Sequence, residues 1–304
     1  MSPSPAHVLS FSYHPGWDRF GLVAMTVVGV IVGLAQVLGA APLPGDAAVY
    51  WTVAPGRYEV GVYGYPPLLI QLLQPLRATN LWWLYVILWT TLCCASLGYV
   101  LGRWAPLALA LAFWPAPRGT IADLWVGPSA AVMIGNVTMP MVAAMVAGMR
   151  RPGWWAVPLL TKMTAGVGVL WFAFRGEWRR LAVGIGLAGA IAAASFLVAP
   201  GWWVAFAQFA AANLGANQNG PEIVGPPLAV RLLAGVALVA IAARLDQPRL
   251  VPIACAVSVV GLYGLGTFGS IAVAALSPRL DRRLVLPRAA SLASSHATAG
   301  AQPA

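Results

Sequence analysis

Long, uninterrupted apolar runs closed by arginine constrain this chain more than any other feature. Residues 20–39, FGLVAMTVVGVIVGLAQVLG, come close to the ~20 residues a helix needs to cross a hydrocarbon layer. Comparable runs recur at 80–102, 129–149, 153–174, 181–199, 227–243 and 250–277. Strands of an outer-membrane barrel would alternate apolar and polar residues, and these runs do not. Charged residues make up 9% of the 304 positions, against roughly 25% in a soluble domain. The reading is an all-α, polytopic helical membrane protein. It has a cytoplasmic tail over 1–19, one transmembrane domain over 20–283 and a disordered Ala/Ser-rich tail over 284–304. A cleaved signal peptide is the rival for the first run, since VLGAA resembles a cleavage site. Its apolar core would be too long, however, and the segment before it is barely positive.

Charge sets the orientation. The net charge is +10, from seventeen arginines and the single lysine Lys162 against eight acids. Arg103, Arg150, Arg151, Arg175, Arg179, Arg180, Arg244, Arg249, Arg279, Arg282 and Arg283 stand at the ends of apolar runs, the positive-inside pattern that marks cytoplasmic ends. No basic patch interleaves with aromatics as nucleic-acid binding requires, so nucleic acid is excluded as a partner. Cys93 and Cys94 are adjacent within one apolar run and Cys255 lies in another, and the three histidines lie in the tails. That pattern implies neither a disulfide framework nor a histidine-based metal centre.

The stretch 40–76 is the first outer loop and holds Asp46, Arg57 and Glu59. It carries Tyr50, Trp51, Tyr58, Tyr63 and Tyr65, residue types that gather at a membrane–water interface. Loops of this length are more often functional than structural. After Pro66 and Pro67 the run LLIQLLQPL predicts a short interfacial helix that Pro75 ends. Asp46 fits a general base at the membrane surface, or the N-cap of a short helix.

Lys162 is the sharpest anomaly, a cation near the middle of the run 153–174, which has arginines at both ends. Intramembrane lysines default to functional roles. Two cytoplasmic flanks predict half-helices hinged between Lys162 and Gly168, and irregular backbone at that depth must be surrounded by protein or water. The run 250–277 has the same layout, with GLYGLGTFGS at its middle. Arg57, Arg118 and Arg231 are cations on the outer side, suited to phosphate or to lipid headgroups. Asn136, in IGNVTMP, is a buried amide that needs partners. The outer loop 200–226 contributes Asn219 and Glu222 within a polar stretch that lacks a glycosylation sequon.

Asp46 after the first run, Tyr65-Pro66-Pro67 closing the loop, Gly135-Asn136 in a later run and Lys162 in TKMTAG form an ordered pattern. It resembles glycosyltransferase family 87, the polyprenol-phosphate-mannose-dependent mannosyltransferases of the GT-C superfamily, and this chain would be a short member. The resemblance covers roughly residues 20–280 and implies a GT-C-like fold in the plasma membrane with an extracytoplasmic active site. The donor would be a polyprenyl-phosphate mannose or similar hexose, and the acceptor a glycan or glycolipid. Asp46 matches the catalytic base and Lys162 the lipid-phosphate site, with Arg57, Arg118 and Arg231 as further phosphate ligands. Tyr65, Asn136, Glu59, Asn219 and Glu222 are the remaining cavity candidates, and the scheme calls for no cofactor or metal. The competing expectations are a lipid or sugar transporter, suggested by hinged half-helices around a lysine, and a non-catalytic membrane subunit derived from such an enzyme.

Overall fold

The computed structural model describes residues 15–58, 64–110, 122–212, 226–259, 264–281 and 285, and all their regular structure is helical. In chain order the first half comprises α1 (Pro15–Val37), α2 (Gly45–Thr52), α3 (Leu68–Ala78), α4 (Trp82–Leu101), α5 (Ala105–Ala110), α6 (Ala122–Met133) and α7 (Thr138–Gly148). The second half comprises α8 (Ala156–Thr161), α9 (Leu170–Phe174), α10 (Trp178–Val198), α11 (Pro200–Ala212), α12 (Leu228–Arg244), α13 (Leu250–Val259) and α14 (Gly264–Ala272). Among the described residues, three stretches are each long and apolar enough to cross a bilayer: Pro15–Val37, Trp82–Ala110 and Trp178–Val198. The bent α6–α7 pair would make a fourth.

α1 and α4 run antiparallel in close contact, and glycine sets their spacing. A Cβ on Gly29 would stand 2.6 Å from Thr91 Cα, and one on Gly33 would stand 2.8 Å from Ile87 Cα. Small residues let apolar helices approach closely where lipid offers no hydrophobic driving force. One polar tie crosses the same seam, a 2.8 Å bond from Thr90 Oγ1 to Gln36 Oε1.

Arg150, Arg175, Arg180 and Arg279 gather at one end of the bundle. Arg175 binds Glu177 at 2.8 Å and also pairs with Asp246, and Arg180 binds Glu177 at 2.6 Å and the Met149 carbonyl at 2.7 Å. Arg279 donates to the Tyr99 carbonyl at 2.8 Å with its guanidinium 4.2 Å from the Tyr99 ring centre. These contacts fasten α4, α7, α10 and α12 together at the end where the sequence puts cytoplasm. The core between the ends is apolar, with Leu97, Met141, Met145, Trp155, Trp171 and Phe172 fully or almost fully buried.

Several boundaries differ from the sequence expectations. The first outer loop contains a helix of its own, α2. α3 continues past Pro75 to Ala78, because a proline near a helix end removes one backbone bond without ending a helix whose other contacts hold. The run 129–149 is not one continuous helix: α6 and α7 meet at 117° across a break at 134–137. The run 153–174 is divided at Lys162, with α8 before it and a 3₁₀ segment, Met163–Val169, leading into α9 after it. Residues 260–263, the middle of the other suspected hinge, lie outside the described residues.

Candidate functional site

α2 places Asp46 in the first turn of a short helix, but not as its cap. The cap position is Pro44, and no side-chain capping bond is made. The Asp46 N–H donates instead to the Ile134 carbonyl at 2.9 Å, and its carboxylate accepts from Asn136 Nδ2. The cap reading is therefore corrected: both groups of Asp46 face the break between α6 and α7.

The break is built to present that amide. Gly135 holds φ at +68°, a left-handed conformation that costs other residues about 1–2 kcal/mol. A Cβ there would lie 3.0 Å from the β-carbons of both Ala47 and Pro44, so α2 rests directly on the break. Trp89 Nε1 binds the Gly135 carbonyl at 2.7 Å, and the Val137 N–H donates to the Tyr50 hydroxyl at 3.4 Å. Asn136 Oδ1 accepts from the Thr138 N–H at 2.8 Å and also from the Thr138 hydroxyl. With the oxygen so occupied, the amide nitrogen must be the atom that faces Asp46.

Lys162 enters from the opposite wall. It sits in the junction between α8 and the 3₁₀ segment and is 1% exposed, with Nζ 5.9 Å from the centre of the Tyr65 ring. Tyr65 in turn meets Tyr50 edge-on at 5.7 Å, and Tyr50 meets Trp89 at 5.8 Å. Burial pushes the Asp46 carboxyl above its ordinary range, while the Asn136 amide and the Lys162 ammonium pull it back. A carboxylate held on one oxygen by a neutral donor, with a cation in electrostatic range and its pKa raised by burial, is a stronger base than a free carboxylate and is suited to accept a proton.

The structure thus brings together Asp46, Asn136, Lys162 and Tyr65 of the expected residues. Arg57 lies on the exposed turn after α2, where neighbouring Gly56 and Tyr58 pack on Trp202, Phe206 and Phe209 of α11. Arg231 is 6% exposed in α12, which packs on α13 and on the segment following Lys162. Arg118, Glu59, Asn219 and Glu222 lie outside the described residues.

Two contributors escaped the sequence reading in these roles. Tyr50 stands four residues after Asp46, hence on the same face of α2, and that spacing was the available signal. Thr138 follows Asn136 by two, the spacing of a local side-chain-to-backbone bond.

A cavity of about 810 Å³ begins beside this cluster, where Leu68, Val137 and Thr161 line it, and extends to Arg150 and Arg151 at the arginine-rich end. Its walls are largely aliphatic, and it falls within the ~300–1,000 Å³ range of ligand pockets. Comparison with known proteins finds no family model, no curated protein and no solved structure that matches the chain.

Proposed function

We propose that this chain is an integral-membrane glycosyltransferase. It would move mannose or a similar hexose from a polyprenyl-phosphate donor to a glycan or glycolipid acceptor on the extracytoplasmic side. The observation that carries the reading is the approach of Asp46, fixed by Asn136, to the buried Lys162 beside a largely apolar cavity. The resemblance of the ordered motifs to family 87 points the same way, as does the opposition of this cluster to the arginine-rich end.

In the proposed reaction the Asp46 carboxylate takes the proton of an acceptor hydroxyl as its oxygen bonds to the anomeric carbon. The bond from that carbon to the lipid-phosphate oxygen breaks, and the pair of electrons leaves with the phosphate. Lys162 supplies positive charge where the leaving group gathers negative charge, the kind of preorganised stabilisation that carries much of enzymatic rate enhancement. A single displacement of this kind inverts the anomeric centre. Asn136 is a positioning residue, holding the carboxylate through Oδ2 and leaving Oδ1 to receive the proton.

The test is transfer from a radiolabelled polyprenyl-phosphate mannose in membranes carrying either the wild type or Asp46→Asn at matched expression. Transfer by the wild type that disappears in the variant is the expected result. Equal transfer by both removes Asp46 from the mechanism. Absence of transfer from both overturns the donor assignment and favours a transporter or a non-catalytic subunit.

A further inference from the structure

The far end of the cavity has a chemistry that the transfer reaction does not use. Arg150 and Arg151 line it there, together with Tyr99 and Trp154. Both arginines are exposed, and Trp154 is 49% exposed, as an indole anchored at headgroup level would be. The ion pairs among the described residues engage Arg175 and Arg180, so Glu177 and Asp246 are committed elsewhere. Arg279 adds a third guanidinium close by, held on Tyr99, and its carbonyl accepts from Arg150 Nη2 at 3.4 Å.

Behind this basic mouth the cavity is apolar and held open by small side chains. On α7, Pro140, Ala143, Ala144 and Ala147 line it, with the three- and four-residue spacing of one helix face. From Val137 to Arg150 the lining spans about 20 Å at helical rise, somewhat more than the ~15 Å hydrocarbon depth of one leaflet. Water gains little from so apolar a space, and an unfilled void forfeits dispersion contacts on every wall. An apolar slot ending in paired guanidiniums at a membrane surface is complementary to an anionic headgroup with its chain.

We infer that this end of the cavity is a binding site for an anionic glycerophospholipid of the leaflet on the arginine-rich side. The phosphate lies between Arg150 and Arg151, and an acyl chain runs along α7 between α4 and α8. The headgroup end of the site lies across the cavity from the Asp46 cluster, and the assignment of that end does not depend on the proposed transfer activity.

The experiment uses the full chain, delipidated in detergent, titrated with phosphatidylglycerol or phosphatidylcholine of identical chains and read by native mass spectrometry. Wild type is expected to retain phosphatidylglycerol in preference to phosphatidylcholine. Arg150→Gln/Arg151→Gln is expected to weaken that retention by about tenfold or more, at roughly one surface cation's contribution for each arginine. Ala147→Trp, which leaves both arginines in place and fills the slot, is expected to reduce retention of the same lipid. Arg151→Gln alone, at an exposed position, serves if either other variant fails to elute as the wild type does. Equal retention of the two lipids, or retention unchanged in all folded variants, overturns the proposal. So does displacement of phosphatidylglycerol by a polyprenyl phosphate at lower concentration, because the slot then belongs to the transfer donor.

Discussion

The side-chain amide of Asn136 donates to the carboxylate of Asp46 across 90 positions of sequence. That bond joins a helix in the first loop to a break between two later helices, and Thr138 fixes its direction by occupying the amide oxygen. Everything proposed for the site depends on this carboxylate being held but not neutralised.

Asp46→Asn removes the charge and keeps the shape. Transfer is expected to fall by at least 10²-fold, the lower range for loss of a general base. Stability is expected not to fall. The carboxyl's pKa is raised by burial, so its stabilising contribution is fully present below the unfolded value of about 4. That contribution is lost as pH rises through the folded value. The melting temperature of the variant relative to wild type should therefore increase from pH 4 to pH 7. A variant that melts lower at pH 7 would contradict the assignment of burial as the main influence on this group.

Asn136→Ala deletes the donor to Asp46 and the acceptor for the Thr138 N–H. Stability is expected to drop by about 1–3 kcal/mol, the cost of leaving such groups unsatisfied. The amide holds the Asp46 pKa down, so its removal should move the acid limb of the pH–rate profile upward. An unshifted limb accompanied by a lower melting temperature would reduce Asn136 to a structural tie.

Gly135→Ala tests the break itself. At φ +68° a methyl group would stand 3.0 Å from two β-carbons of the α2 region. The expected loss is about 1–2 kcal/mol from backbone strain, with additional displacement of α2 and reduced transfer. Retention of wild-type stability would mean that α2 yields easily and that the Asp46 position is loosely held.

Much of the fold was legible because a bilayer imposes strong rules. Continuous apolar length marked α1, α4 and α10, and arginine placement marked the end that Arg150, Arg180 and Arg279 tie together. The break at Lys162 was legible for the same reason, since a cation in an apolar run demands an irregular local environment. The 117° bend at 134–137 left a weaker trace: three polar residues within an apolar run read equally well as a polar patch on a continuous helix. α2 was only half legible: Asp46 offered the start of a short helix, but eight residues are too few to show a helical period and Pro44 and Gly45 read as a turn. The meeting of Asp46 with Asn136 and Lys162 was expected only through family resemblance, since no local pattern encodes contact between such distant positions. Arg57 stands apart: its charge in the key loop suggested a phosphate ligand, and the structure places it on an exposed turn after α2.

Lys162→Met separates charge from packing at the other wall of the site. Methionine is apolar, unbranched and similar in length, so it can occupy the junction between α8 and the 3₁₀ segment that follows. Replacing a buried charge by an apolar residue of similar volume is often neutral or stabilising, so the melting temperature is expected to hold or rise. Transfer is expected to fall sharply, because the leaving phosphate loses its countercharge. The Lys162 ammonium also lowers the pKa of Asp46, so residual activity should show its acid limb displaced to higher pH. Lys162→Arg restores charge but not the compact ammonium geometry, and partial recovery of transfer with the limb returned toward its wild-type position is expected. If methionine leaves both transfer and limb unchanged, Lys162 is a buried packing element and the phosphate must be met by another cation.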